Sequence, residues 1–240
     1  MVESPGRRGP VRSQEESIEP EMREPTPNST DHPRSLLIIG GGGHATVVAE
    51  AASLAGWRIV GFLDDDADAP LGAFAERIGS MATIEAPELT EHHPTIIAVG
   101  DLRFRRELVG LIGGDFATVI HPAASVSPSA TIGAGVFIGP GAVVHTNATI
   151  GAHATVNSGA IVEHDAVIGE NAHLAPGAAL GGAVHVGAGS LVGLGARVIP
   201  GVHIGDDAVV GAGAVVIRDV AVGACAVGVP ASEIGARTEE

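Results

Sequence analysis

Lysine and tyrosine are absent from this chain, cysteine occurs once, and aromatic side chains make up only 2% of its 240 residues. All thirteen basic residues are arginine and face 28 acids, for a net charge of −15, so no basic stripe exists to track a phosphate backbone and nucleic acid is excluded as a partner. The single Cys225 rules out an internal disulfide. No apolar run reaches membrane-spanning length and no signal-peptide pattern opens the chain, which places the expected protein in the cytoplasm without membrane insertion. With so few rings, a core must come from small and branched aliphatic side chains. The 45% hydrophobic content supplies them, and 35 glycines imply tight turns.

Three textures follow one another along the chain. Residues 1–34 mix Pro, Glu, Arg and Ser without periodicity and are expected to form a disordered extension. From Ser35, "SLLIIGGGGHATVVAEAASLAGWRIVGFLDDD" reads as strand, Gly run, helix and second strand, and "TIIAVG" followed by "DLRFRRELVGLI", with Asp101 as N-cap, repeats the strand–helix order. This alternation predicts a Rossmann-like parallel α/β domain over 35–120. A third region, 121–221, is a repeat, and residues 222–240 form a C-terminal tail.

In the repeat, every sixth residue from Val126 to Val216 is aliphatic, and the residue four places after each is Ala, Val or Ser, as at Ala130, Val136 and Ser190. Gly often follows the aliphatic plug, where the turn needs an uncrowded backbone. A six-residue period of this kind resembles the hexapeptide repeat of the left-handed parallel β-helix, in which three hexads make one triangular coil. That resemblance implies a homotrimer. Apolar residues at outward places, such as Val143, Leu191 and Val209, give a face to hide.

Repetition alone carries no chemistry, so the departures from it matter. His164 and Asp165 in "VEHDAV" and His173 in "IGENAH" fall outside the plug positions and are expected to lie outside the core, which makes a buried structural His a poor explanation. His164 can serve as a general base oriented by Asp165, or the pair can be an ordinary solvated one; spacing leaves both open. His153 and His203 read as solvated surface residues, as do Arg103, Arg105 and Arg106. "GGGGHA" opens a helix after a strand and can hold phosphate on its amides. With Gly40, Gly42 and Ala45 in G-x-G-x-x-A order and Asp64 and Asp65 downstream, it also admits a dinucleotide site, but the domain has too few strands for one.

The segment "VNSGAIVEHDAVIGENAHLAPGAALGG", the upstream nucleotide-type domain and the closing "AVGVPA" together resemble the two-domain sugar acetyltransferases of bacterial glycan synthesis. These include bacillosamine-pathway UDP-4-amino-sugar and perosamine N-acetyltransferases and sialic-acid O-acetyltransferase relatives. The resemblance implies acetyl-CoA as co-substrate, a nucleotide-linked 4-amino sugar as acceptor and no metal requirement. It further implies His164 as base with Asp165. His173 lies by the acyl donor, and Gly182, Gly195 and Gly211 are places of close backbone approach to it. Arg197 and Arg218 are candidates for CoA phosphates. Gly40, Gly42, Gly43, His44, Asp64, Asp65, Gly100, Asp101 and Asn157 fall on the acceptor side. The basic residue that commonly follows the closing "GVPA" is absent; Ser232 stands there.

N- versus O-acetylation, as in the sialic-acid type, and the identity of the nucleotide stay open at this point, as does a non-catalytic sugar-nucleotide-binding trimer. The γ-type carbonic anhydrases, which hold zinc between β-helix subunits, are a further class that the His–Asp pair and the α/β domain speak against.

Overall fold

The computed structural model describes Met1 and residues 34–84, 90, 92–112 and 114–234. The expected extension lies outside the described residues except for Met1 and Arg34, and Arg34 already belongs to the first strand. The α/β domain consists of β1 (Arg34–Ile39), α1 (Gly43–Leu54), β2 (Trp57–Leu63), β3 (Arg77–Gly79), β4 (Thr95–Ile97) and α2 (Leu102–Leu111). Among the described residues its strands are parallel in the order β3-β2-β1-β4. The strand β1 is central, so alternate side chains are buried on opposite faces: Leu36 and Ile38 pack with α1 residues Ala45 and Val48, while Leu37 and Ile39 pack with Leu108 of α2. Asp101 caps α2 as expected, its Oδ1 accepting the Phe104 N–H at 2.9 Å.

The rest is a left-handed parallel β-helix. Each coil advances 18 residues, as the register of Thr131 on Thr149, Val167, His185 and His203 shows. The described strands form three sheets of five, eight and six strands, one on each side of a triangular prism, all parallel except for Ser232–Ile234, which closes the eight-stranded sheet antiparallel to Cys225–Val227. Interior places alternate a branched plug with a small residue, as Ile150, Ala154, Val156 and Ala160, all 0–1% exposed, because the prism is too narrow for two large side chains per hexad. Ser190 is the polar exception at a small place. It is fully buried and satisfied, with its Oγ donating to the Gly205 carbonyl at 2.7 Å and accepting the Ala208 N–H at 3.1 Å. The stack starts with Val119–Ile120 and takes in Cys225–Val227, so it reaches beyond 121–221 at both ends.

A second period underlies the first. Every sixth residue from Gly135 to Gly213 has a left-handed backbone, with φ between 53° and 74°. This is the corner at which one sheet turns into the next. Glycine occupies most of these corners; Asn147, His153, Asp165, Asn171, Ala183 and Asp207 are the other occupants.

The α/β domain is joined to the coils through shared packing. Phe116 bridges to Thr95, and Phe137, on the outer face of the eight-stranded sheet, lies in the same core cluster as Ala45, Ala117 and Val119. No helix among the described residues is long and apolar enough to cross a membrane.

The left-handed corners make a stability prediction. Ala183→Gly relieves a φ of 53° and is expected to stabilise the fold by about 0.5–1 kcal/mol in denaturant unfolding. Gly201→Ala, with φ of 74° and nothing within 4 Å of the added methyl, is expected to cost about 1 kcal/mol by strain alone.

Candidate functional site

The Gly run forms the floor of a cleft of about 350 Å³, lined by Gly40, Gly42, Gly43, His44, Asp64, Asp65, Met81, Ala98, Val99, Gly100 and Phe104. Gly40 takes φ of 101°, and a side chain on Gly41 would lie 2.6 Å from the Phe62 ring, so the loop packs flat on the sheet. Gly42 is the N-cap of α1 and no side chain caps that helix, which leaves its first amides facing the cleft. Such amides suit an anion of the phosphate type.

The acids play a different part from a free ribose acceptor. Asp64 accepts the Gly41 N–H at 2.6 Å on one oxygen and the Asp66 N–H at 2.8 Å on the other, so its carboxylate shapes the loop. Asp65 accepts the Met81 N–H at 2.9 Å through Oδ1 and lines the opposite rim. Gly100 borders the cleft, while the Asp101 carboxylate is engaged in capping.

Deeper in, His44 meets the coils. Its ring stands edge-on to Phe137 at 5.6 Å and lies 6.1 Å from the ring of His173. Asn157 Nδ2 is 3.4 Å from His173 Nε2, and His173 Nδ1 is buried without a hydrogen-bond partner among the described residues. Burial, followed by the field of the Arg105 guanidinium, lowers the pKa of each imidazole from 6.5 to about 4, with His44 adding a further lowering effect on His173. Both rings are therefore neutral at physiological pH.

Arg105 corrects the reading of α2 as a helix with solvated arginines: it is 1% exposed and makes four bonds to the coils. Arg106, by contrast, is exposed and pairs with Asp207 at 2.6 Å. His153 is likewise not solvated; it is 6% exposed, edge-on to Phe116 at 4.4 Å. His173 likewise corrects the expectation against a buried His: it lies outside the solenoid core, as its hexad place implies, yet it is largely buried where His44 of the α/β domain meets the coils. No sequence signal separates Arg105 from its two neighbours except its place on α2 beside the buried Leu108.

His164 and Asp165 form a second centre. His164 Nδ1 is 2.8 Å from Asp165 Oδ2, and Asn147, one coil earlier, donates from Nδ2 to Asp165 Oδ1 at 3.2 Å. The aspartate hydrogen bond, with the nearby carboxylate charges, raises the His164 pKa, and bonds from His164 and Asn147 lower that of Asp165. A Cβ on Gly182 would lie 2.7 Å from His164 Cε1 and Nε2, so the missing side chain makes room for the ring.

In cross-section, His164, Asp165, Gly182 and Arg218 share the corner between the six- and five-stranded sheets, whereas His173 projects from the eight-stranded sheet on the opposite side. Gly195 and Gly211 lie at the corner between the eight- and six-stranded sheets. Arg197 projects from the six-stranded sheet with its Nη1 donating to the Gly177, Gly195 and Ala196 carbonyls. One chain thus brings the cleft, His44, Asn157 and His173 together, and keeps His164 apart from them.

Residues 35–111 match the PglD N-terminal domain, 147–182 the bacterial transferase hexapeptide (six repeats) and 183–218 the hexapeptide repeat of succinyl-transferase. UDP-N-acetylbacillosamine N-acetyltransferase of Bacillus subtilis is 40% identical over 110 residues, 44% of this chain and 51% of that protein, so the match spans about half the length of this curated relative. Perosamine N-acetyltransferase from Caulobacter crescentus, solved as a histidine-to-asparagine variant with CoA and GDP-perosamine, is 40% identical with a TM-score of 0.78; the match covers 84% of this chain and 97% of that one. The acetyltransferase domain of PglB from Neisseria gonorrhoeae is 34% identical with a TM-score of 0.78, covering 84% of this chain and all of that one (100%).

Two titrations follow from this geometry. Asp165→Asn is expected to move the His164 titration, followed by ring-proton NMR, down toward 6.5, since the hydrogen bond that raises it is lost; an unmoved titration contradicts the pairing. For His44 and His173 the folded pKa lies below the unfolded one, so the unfolded chain binds more protons between pH 6.5 and about 4. Their contribution to stability is complete above that window and is lost as pH falls through it. Denaturant midpoints should fall less steeply with acid in a His44→Asn, His173→Asn double variant.

Proposed function

The chain belongs to the two-domain hexapeptide-repeat sugar N-acetyltransferases, and on that footing we propose that it transfers acetyl from acetyl-CoA to the 4-amino group of a nucleotide-linked sugar. The observation that carries the reading is the His164–Asp165 pair at 2.8 Å, set over a glycine in the next coil. With the Nδ1 proton held by Asp165, the free base is Nε2, on the ring edge above Gly182. The sugar amine attacks the thioester carbonyl, and its surplus proton passes to His164 Nε2. The tetrahedral intermediate then collapses, expelling the CoA sulfur as thiolate and leaving the amide. The backbone N–H of Gly182 is the proposed donor to the oxyanion; the amides on either side are engaged between coils, Gly181 with the Val198 carbonyl and Ala183 with the His164 carbonyl, both at 2.9 Å. No step requires an acyl-enzyme or a metal ion.

On the acceptor side, the open amides of α1 hold the pyrophosphate and Asp65 lies within reach of the nucleoside. The sugar points toward His44, Asn157 and His173; the resemblance puts His173 by the acyl donor, and its proximity to His44 and Asn157 supports the acceptor side instead. His164 on the far corner cannot serve that cleft in its own chain, which supports a homotrimer in which the base of one copy faces the cleft of the next. The groove between copies then takes CoA, flanked by Gly182 and Arg218 on one side and by Gly195, Gly211 and Arg197 on the other. The proposed place of action is the cytoplasm, where both substrates are made.

Thiol release from acetyl-CoA, measured with UDP-, GDP- and dTDP-linked 4-amino sugars and with sialic acid, tests the proposal. Acceptor-dependent release that falls about 10²–10⁴-fold in His164→Ala is the expected result. Release with sialic acid alone would establish O-acetylation instead, and binding without release would establish a non-catalytic binding protein.

A further inference from the structure

Arg105 is a buried cation whose described partners include no carboxylate. Its Nε donates to Asn171 Oδ1 at 2.6 Å, Nη1 to Thr155 Oγ1 at 3.0 Å, and Nη2 to the Asn171 carbonyl at 2.9 Å, with the Ala172 carbonyl at 3.5 Å. All are neutral acceptors. Asn171 closes the loop in the other direction, donating from Nδ2 to the Leu102 carbonyl at 2.8 Å. Burying a guanidinium without a counter-charge is costly, and an apolar or amide side chain could tie two surfaces together at less expense of solvation. What distinguishes this arginine is its location: Thr155 is the register partner of His173 on the neighbouring strand, Asn171 precedes His173 by two residues, and the first turn of α2 contributes Phe104 to the cleft wall just after Gly100.

We propose that Arg105 is a positioning residue for the acceptor site: its planar fork fastens the helix that walls the cleft to the coils flanking His173, so that the cleft and the His44–His173 pair form one preset surface. This rests on the cleft being the acceptor site. The charge has a second consequence at the same place. Arg105 acts on both His44 and His173, and among the described residues the only other charged or titratable group acting on either is His44 on His173. The cation disfavours protonation of both rings, which then meet the sugar as neutral hydrogen-bonding groups.

The test compares Arg105→Met and Arg105→Lys with the parent in the intact protein. Ring titrations of ligand-free protein are read by NMR, the affinities for UDP and GDP by calorimetry, and the KM values for nucleotide sugar and acetyl-CoA by thiol release. In Arg105→Met, His44 and His173 are expected to titrate higher. Nucleoside diphosphate affinity and nucleotide-sugar KM are expected to worsen about tenfold, with acetyl-CoA KM unchanged. Arg105→Lys, which keeps charge without the fork, is expected to hold the titrations low while leaving nucleotide binding weakened. Unchanged nucleotide binding in Arg105→Met, with only a lower melting temperature, overturns the proposal, as does full rescue by lysine. Should Arg105→Met fail to fold, Asn171→Gly removes two of the bonds at a corner whose φ of 56° glycine adopts freely, and the same loss of nucleotide affinity is expected. Titrations and diphosphate binding need no turnover, so failure of the transferase reading would not obscure the outcome.

Discussion

The structure depends on one backbone requirement: a left-handed residue at every coil corner from Gly135 to Gly213. Glycine satisfies it at no steric cost, while any other residue carries about 1–2 kcal/mol of strain. The chain accepts that strain at six corners, and at five of them the side chain does something a glycine could not. Asp165 orients His164, Asn147 holds Asp165, Asn171 receives Arg105, Asp207 pairs with Arg106, and His153 packs against Phe116. Only Ala183 has no such contact to offer. Asn and Asp tolerate the left-handed region better than other residues, which is why four of these five are of that type. The His164–Asp165 pair and the clasp between domains are thus variations on a single turn.

The triangular section also dictates how the two centres relate. Side chains on one sheet and on the opposite corner are separated by the packed core, so the His44–His173 surface and the His164 corner face different solvent spaces. The proposed trimer would bring a corner of one copy against the face of another, and outward apolar residues such as Ile161 and Val143 on the six-stranded sheet fit such burial. In the proposed reaction this separates two tasks: the α/β domain and the face beneath it take the acceptor, while the corner supplies the base.

Much of this was legible in the sequence because a solenoid writes its fold as a period. Hexads announce the coils, the Gly run and strand–helix alternation announce the nucleotide-type domain, and His164 with Asp165 stands out as a break in the repeat. Arg105, His153 and the burial of His173 were not legible, for a common reason: each is buried by the packing of one domain on the other. Within α2, "RFRR" looks like a charged, solvated face, and hydrophobic periodicity cannot mark a buried arginine. Similarly, the acids after β2 read as ligand groups by spacing, whereas Asp64 spends both oxygens on the loop's own amides.

The central claim is that His164 of one copy serves the cleft of another, and subunit complementation tests it most directly. His164→Ala lacks the base; Gly43→Trp fills the cleft, at a position with open space around it. Each is inactive alone. Co-expressed in equal amounts, the two should restore roughly a quarter of parental acetyl transfer, because every mixed trimer then holds one intact site. Mixed oligomers that form and remain inactive would show that the base and the cleft must belong to the same chain, and would contradict the account.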